Sequence, residues 1–426
     1  MLFSCLTLGT SYAAAAPSSS VPTLTLAEAR RRSFFRNWDL LAAESDLDQA
    51  TAQEMVAREV QNPALSAQLL HLPVDGSSAA TARGNGLLDR SYDTIVAVNQ
   101  LLELHGKRGL RRTSAAAGTT AARARFADAR RILDNAVLRA YATAALDEEN
   151  ARLVARTAAS LRESAKIAAT RLAAGDISAA DEAAIEVAAD RFELDSRASE
   201  AAARSARIAL DVLMGEPAPS GDWHAADRLE DLAAKAGELD VEAVLQQAPQ
   251  RPDLRAAEAD LARSEADLEL ERARRLPDPT LSLQYERQPP DLANTVGLGV
   301  AIDLPLWSRH QGEIAAATVA RDRAERERER VRARIASDRA TARAGFASAL
   351  ERWRSFHQTI LPKAETVRET VVYAYRNGGA SLLELLEAER SANDVAVAAA
   401  QAASDALTAA ADLAAAASLT LFGNPS

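Results

Sequence analysis

Residues 375–390 read Tyr-Arg-Asn-Gly-Gly-Ala-Ser-Leu-Leu-Glu-Leu-Leu-Glu-Ala-Glu-Arg. A helical pattern runs into Gly378, and glycine readily adopts the left-handed backbone conformation that ends a helix. Ser381 is followed three residues later by Glu384, which is the capping-box spacing that opens a new helix. These residues therefore predict the tip of a helical hairpin.

The first half of the chain contains a second copy of this pattern. It reads Arg171-Leu-Ala-Ala-Gly-Asp-Ile-Ser-Ala-Ala-Asp181, in which Gly175 is followed by Ser178 and then by Asp181. Other segments correspond in the same order: Asp39-Leu40 with Asp253-Leu254, Asn62-Pro63 with Asp278-Pro279, Glu103-Leu104 with Asp303-Leu304, and Met214-Gly215 with Phe422-Gly423. This repeated order predicts an internally duplicated chain with two hairpin tips.

The composition limits what such hairpins can build. The chain has 426 residues, of which 48% are hydrophobic, only 4% are aromatic and 26% are charged. Alanine is the largest contributor to the hydrophobic residues, so we expect closely packed helices and no wide globular core. The formal net charge of −10 also argues against a nucleic-acid partner, which would need a basic surface.

We expect four parts along the chain. Residues 1–16 are an apolar start that ends in small residues and resembles an atypical signal peptide, because it lacks a leading Lys or Arg. Residues 20–215 are the first repeat, residues 216–252 are a linking segment, and residues 253–423 are the second repeat. The sole cysteine, Cys5, falls within the signal, so the mature chain is expected to have no disulfide or thiol site.

Each repeat is predicted to contain a helix, a β-hairpin and a long helical hairpin. In the first repeat, we expect a helix over 26–58, a β-hairpin over 63–104, a long helix over 107–171 and a returning helix over 178–214. At about 1.5 Å per residue, the long helix would span on the order of 100 Å. In the second repeat, the β-hairpin is expected over 279–304.

The predicted strands indicate whether the protein spans a membrane. Apolar side chains alternate with small or polar ones over about nine to eleven residues, which is typical of a tilted strand that spans a bilayer. The alternating apolar residues are Val296, Leu298, Val300, Ile302 and Leu304 in one strand and Leu281, Leu283 and Tyr285 in its neighbour. A soluble sheet with one buried face would have the same period. In lipid, however, four strands with open edges are not stable, so several chains would have to combine their strands.

The order of elements and three short motifs resemble the outer-membrane efflux protein family typified by TolC. The motifs are Glu103-Leu-His-Gly-Lys-Arg-Gly109, Asp303-Leu-Pro-Leu-Trp307, and Tyr375-Arg-Asn-Gly378 continuing through Leu385. The resemblance implies a mostly α protein with a small β part, built from a duplicated unit. It also implies a homotrimer that forms a twelve-stranded β-barrel in the outer membrane of a Gram-negative bacterium, continued into the periplasm by an α-helical barrel.

The family's activity is passive exit of substrates delivered by an inner-membrane pump, here expected to be of the resistance-nodulation-division type, through a periplasmic adaptor protein. The sequence from Glu103 to Arg108 resembles that of the family branch that serves heavy-metal efflux pumps, represented by CzcC. A type I secretion exit duct would share this architecture, and a periplasmic coiled-coil scaffold would also use long helices. Both alternatives are therefore kept at this point.

The resemblance also implies roles for particular residues. The family's periplasmic constriction corresponds to Glu384 and Glu387, which would place six carboxylates around the opening of a trimer and raise some of their pKa values by like-charge proximity. Without the family, Glu384 is explained by its capping box and Glu387 as a solvated helix residue. A hydrogen bond between neighbouring hairpins, called the entrance latch, corresponds to Tyr375 and Asp181. The basic residue that assists this latch in some relatives is replaced by Ala380.

The hairpin tips are the expected docking positions for the adaptor protein. The residues concerned are Gly175, Ser178, Gly378 and Ser381, and their turn chemistry alone would also account for them. Enzyme chemistry is not expected. The five histidines are scattered without ligand spacing, and no phosphate-binding loop is present, so we predict no catalytic residue, metal site or cofactor.

Overall fold

A computed structural model describes residues 22–70, 93–246, 248–288 and 292–423. The expected signal peptide, residues 1–16, and Cys5 lie outside these residues. Within the described ranges, none of the helices combines the length and the apolar composition that crossing a bilayer requires.

The first half of the chain contains a helix, a β-hairpin and a long helical hairpin, as predicted. Its elements are β1 (Thr23–Leu24), α1 (Leu26–Arg36), α2 (Trp38–Arg58), β2 (Ala64–Leu70), β3 (Asp93–Leu101), α3 (Lys107–Ala173) and α4 (Ala179–Leu213). The long helix is confirmed, because α3 runs for 67 residues without a break.

The prediction of one helix over 26–58 is wrong, because Asn37 divides it into α1 and α2. The Asn37 side chain accepts a hydrogen bond from the backbone N–H of Leu40 at 3.0 Å and thereby caps α2. Its amide nitrogen donates to the carbonyl of Leu213 at 3.0 Å. Asn37 thus joins the start of α2 to the end of α4.

The second half has the same order of elements. After the linking strand β4 (His224–Ala225) and helices α5 (Leu229–Ala236) and α6 (Val241–Gln246) come α7 (Pro252–Arg274), β5 (Pro279–Gln288), β6 (Leu292–Ile302), α8 (Gln311–Ser355), a π-helical turn (Phe356–Ile360), α9 (Leu361–Arg376) and α10 (Leu382–Ala416). The fold is therefore mostly α with a small β part, and the unit is present twice. Two features were not predicted: the π-helical turn, and the parallel pairing of β1 with β4.

The two β-hairpins form one antiparallel sheet in the order β2-β3-β5-β6. Its register aligns Leu65 with Val98, Val98 with Leu283, and Leu283 with Leu298. One face of the sheet is therefore apolar across all four strands, and its large side chains are exposed. Both β2 and β6 are edge strands of the single chain.

Both predicted β-hairpins extend too far at their ends. β3 ends at Leu101, before Leu104, and β6 ends at Ile302, before Leu304. The partner strand of β6, which is β5, begins at Pro279, which pairs with Ile302, so the ladder between β5 and β6 stops there.

The helices pack side by side as a wall. Near the sheet, the lateral order is α2, α3, α7 and α8, and at the opposite end it is α4, α3, α10 and then α8 with α9. Alanines of α10 such as Ala402, Ala406 and Ala410 are fully buried in the main core. Because alanine is small, helix axes approach closely along this seam. The low content of large side chains is thus explained by helix-to-helix packing.

Candidate functional site at the hairpin tips

The two hairpin tips have the same backbone geometry. Gly175 has φ +80° and Gly378 has φ +77°, and an added Cβ at either position would meet nothing within 4 Å. At the first tip, Asp176 N–H donates to the Arg171 carbonyl at 2.9 Å, and at the second, Gly379 N–H donates to the Ala374 carbonyl at 2.8 Å. Each glycine thus ends its helix in the left-handed conformation that the sequence predicted.

The returning helices both begin with a capping box. Ser178 Oγ accepts from Asp181 N–H at 3.1 Å, and Ser381 Oγ accepts from Glu384 N–H at 3.3 Å. The acids complete the box in return, since Ser381 N–H donates to Glu384 Oε2 at 2.7 Å. This backbone hydrogen bond, with a second from the Ser381 hydroxyl, lowers the pKa of Glu384 from its ordinary value of 4.5.

The two acids of the predicted constriction lie on one exposed side of α10. Glu384 and Glu387 are both exposed, and their i,i+3 spacing places them as neighbours on the helix surface. Leu385 between them is fully buried, whereas the Glu384 carboxylate turns back to Ser381 of its own chain. A ring of carboxylates needs acids from several copies of the chain, so the constriction remains a prediction. Within one chain, capping moves the pKa of Glu384 in the direction opposite to that expected for a ring.

Tyr375 is buried in a small hydrophobic cluster, called the tip cluster. Its members are Ala165, Ala168, Ile185, Val372, Tyr375 and Leu385, so it joins both hairpins. The Arg171 guanidinium lies 5.6 Å from the centre of the Tyr375 ring. Burial raises the pKa of Tyr375; the Arg171 charge opposes this rise, and the Asp181 charge adds to it.

The two predicted latch residues lie at the same end of the molecule. Within the described part of one chain, however, no hydrogen bond joins Tyr375 to Asp181. The Asp181 carboxylate instead accepts from the hydroxyl of Ser178 at 2.8 Å. The entrance latch, which acts between neighbouring hairpins, therefore stays a prediction.

The predicted docking residues are all accessible. Gly175, Ser178, Gly378 and Ser381 are exposed at the two tips. Among residues 22–70, 93–246, 248–288 and 292–423, no group of three or more His, Cys, Asp or Glu side chains is arranged to hold a metal ion.

The sequence reasoning missed one acid, Glu389. Its side chain is only 1% exposed and lies between α10, α9 and α3. A signal for its burial was present, since Glu389 follows the buried Leu385 by four residues and shares its helix face.

Comparison with known proteins places the chain among outer-membrane transport proteins. The family model described as "Outer membrane efflux protein" matches residues 31–216 and 244–418. The cobalt-zinc-cadmium resistance protein CzcC of Cupriavidus metallidurans is 28% identical over 383 residues, which cover 90% of this chain and 87% of CzcC.

Solved structures show the same fold at low sequence identity. A membrane protein from Pseudomonas aeruginosa aligns with a TM-score of 0.75 and 18% identity, covering 96% of this chain and 99% of its own. CusC aligns with a TM-score of 0.75 and 17% identity over 92% of this chain and 91% of its own. The outer membrane protein VceC of Vibrio cholerae aligns with a TM-score of 0.71 and 18% identity over 93% of this chain and 96% of its own.

Proposed function

Because the chain belongs to the outer membrane efflux protein family, we propose that three copies of it assemble into one passive duct from the periplasm to the cell exterior. As a member of this family, the chain is an efflux channel of the outer membrane that extends into the periplasm. This assignment sets aside the scaffold alternative. The trimer, its partners and its cargo are the proposal.

The observation that carries the proposal is the open edge on each side of the sheet. β2 and β6 each pair on one side only, and the apolar side chains between them face outward. Unpaired backbone groups are costly in lipid, so the β6 edge of one copy is expected to pair with the β2 edge of the next. Three copies of four strands give a closed twelve-stranded barrel.

The helices have matching free edges. α4, at one edge of the wall, carries the exposed Val187 and Leu194, and α8 and α9, at the other edge, carry the exposed Val319 and Val367. Exposed apolar residues on two different edges favour a head-to-tail contact between copies, which closes into a ring. The same ring would continue the duct as an α-helical barrel, into which the long helix α3 contributes about 100 Å of length.

We propose that the tips dock a periplasmic adaptor protein, which connects the duct to an inner-membrane pump of the resistance-nodulation-division type. Gly175, Ser178, Gly378 and Ser381 leave an exposed surface of small residues that a partner's helical hairpin can approach. Tyr375 and Asp181 form the entrance latch between neighbouring hairpins. We propose neither catalysis nor a cofactor for the duct.

The proposed cargo is heavy-metal cations, because CzcC is a cobalt-zinc-cadmium resistance protein. Two acids from each of three copies would surround the constriction, and rings of carboxylates favour cations over anions. Deleting the gene should lower the host's tolerance of cobalt, zinc or cadmium, and the full chain should restore it. Loss of a secreted protein with unchanged metal tolerance would instead favour the type I secretion duct.

The constriction is tested with the double variant Glu384→Gln/Glu387→Gln. Glutamine removes both charges, while its carbonyl oxygen can still accept the capping hydrogen bond from Ser381. We expect the cation preference of single-channel currents in planar bilayers to fall. The matched control is Glu369→Gln, an exposed acid on α9, which should leave selectivity unchanged. An unaltered cation preference in the double variant would refute this assignment.

A further inference from the structure

A layer of polar side chains separates the two hydrophobic clusters of the molecule. The tip cluster lies on one side of it, and the main core, with the alanine seam of α10, lies on the other. Three helices contribute to the layer: Arg156, Thr157 and Ser160 from α3, Glu365 and Arg368 from α9, and Glu389 and Asn393 from α10. Nothing in the proposed constriction, latch or docking surface uses these residues.

Glu389 is the most buried charged group of this layer. Its Oε1 accepts a hydrogen bond from Ser160 Oγ at 2.5 Å, which joins α10 to α3. Its Oε2 is buried and has no hydrogen-bond partner among the described residues. A buried carboxylate is costly unless a positive charge and further donors compensate it.

Arg368 supplies that charge from α9, but at a distance. Its Nη1 lies 3.8 Å from Glu389 Oε1, and its Nη2 lies 4.0 Å from Glu365 Oε2. Its Nε is buried without a hydrogen-bond partner in the described part of the chain. The guanidinium and the carboxylate therefore each keep one unused buried atom, and a shift of about 1 Å between α9 and α10 would bring the pair to ordinary hydrogen-bonding distance.

The helix that carries Arg368 is attached through an irregular turn. α9 is only 16 residues long and follows the π-helical turn Phe356–Ile360, with Pro362 in its first turn. π-helical turns and prolines are common positions of helix bending. By contrast, α3 passes the same level of the first hairpin without interruption.

We propose that compensation of the buried Glu389 charge by Arg368 keeps α9 packed against α10 and α3, on the tip side of a hinge at the π-helical turn. Breaking the pair leaves the Glu389 charge buried and uncompensated, and movement of α9 that admits water relieves this cost. The pair thereby positions Tyr375 at the end of α9 and the acids Glu384 and Glu387 on α10. The effect of the pair on the width of the entrance rests on the proposed function.

The pair is tested by hydrogen–deuterium exchange of the full-length protein in detergent. Arg368→Met should raise exchange across residues 361–376 by about tenfold or more, because removing one partner of a buried ion pair is strongly destabilising. Glu389→Gln should have a smaller effect, since Arg368 remains near Glu365 and partly exposed. The double variant Arg368→Met/Glu389→Gln should return close to the wild-type exchange, because no buried charge is left unpaired.

The matched control is Arg156→Met, in the same layer. Arg156 pairs with Glu365 at 2.7 Å, but its side chain is 49% exposed, so exchange should change little. Unchanged exchange in Arg368→Met, or additive effects in the double variant, would overturn the proposal. Hydrogen exchange does not depend on channel activity, so it tests the ion pair even if the proposed function is wrong. Failure of the proposed function would instead be seen in single-channel currents. In bilayers, Arg368→Met should also raise the conductance, and the double variant should restore it.

Discussion

The two hairpins end in the same way and differ along their length. Gly175 and Gly378 share one backbone conformation, and each is followed by a Ser-acid capping box. Between sheet and tip, however, the first hairpin has the unbroken α3, whereas the second has α8, a π-helical turn and α9. The conformation of each tip depends on a few adjacent residues, so it is the same in both repeats. The helices between sheet and tip pack against different neighbours in the two repeats, so their conformations differ.

The largest difference between the repeats is expected at a pair of corresponding glycines. Gly215 and Gly423 both have positive φ, but a Cβ at Gly215 would lie 2.1 Å from the Arg36 carbonyl oxygen, whereas a Cβ at Gly423 would meet nothing within 4 Å. Gly215→Ala should therefore cost about 3 kcal/mol or more and abolish assembly, because backbone strain and a steric clash add.

Gly423→Ala is the control, since it carries the backbone strain alone. It should cost about 1–2 kcal/mol and leave the assembly in place. Unboiled gels show for both variants whether the assembly forms and, where it does, the temperature at which it dissociates. Equal effects would show that the second repeat packs against this glycine as closely as the first.

The two tips should be alike in docking the adaptor protein. Ala174 and Gly379 are exposed, and neither has positive φ, so a large side chain adds bulk without backbone strain. Ala174→Trp and Gly379→Trp should each remove metal tolerance while the assembly survives. If only one of them does so, docking is restricted to one hairpin. If the assembly is lost, the tips serve folding and not docking.

The capping serines should contribute equally. Ser178→Ala and Ser381→Ala each remove a side-chain acceptor at the first turn of a returning helix, which should cost about 1 kcal/mol. Local hydrogen exchange at residues 179–185 and 382–388 measures both effects. A much larger effect at Ser381 would mean that the second tip is stabilised mainly by its capping box and less by packing of the adjoining helices.

The smallest effect is a pH dependence of the second cap. The pKa of Glu384 is lowered in the folded chain by its hydrogen bonds to Ser381, so its contribution is present above the ordinary value of 4.5 and is lost as the pH falls through the lowered value. Exchange at residues 382–388, corrected for intrinsic rates, should therefore rise in acid. Glu384→Gln should remove this dependence, and its persistence would assign the effect to another group.

Local sequence patterns predicted the parts of the fold that depend on neighbouring residues. The glycine turns, the capping residues and the alternating strands are of this kind, because each needs only a few adjacent side chains. The break at Asn37 was missed, since its amide is recruited by the distant Leu213. The pairing of β1 with β4 also joins residues far apart in sequence.

The sequence predicted where the candidate site lies in the fold but did not predict which side chains surround it. Tyr375, Glu384 and Glu387 lie at the tip as expected, and the roles proposed for them come from the resemblance to a family. The spacing of Glu389 to Leu385 is only a weak indication of burial, because nothing in the local sequence distinguishes a buried acid on a helix from an exposed one. Its contacts with Ser160 and Arg368 depend on how three helices meet, which no single segment specifies.

The central claim is that several copies share one barrel. Membrane fractionation of the full-length protein in a Gram-negative host, followed by gel electrophoresis with and without boiling, tests it directly. We predict a band in the outer-membrane fraction at about three times the 45.3 kDa of the single chain, which boiling converts to the monomer. A soluble periplasmic monomer or dimer would contradict the shared barrel and return the four strands to a small sheet within one chain.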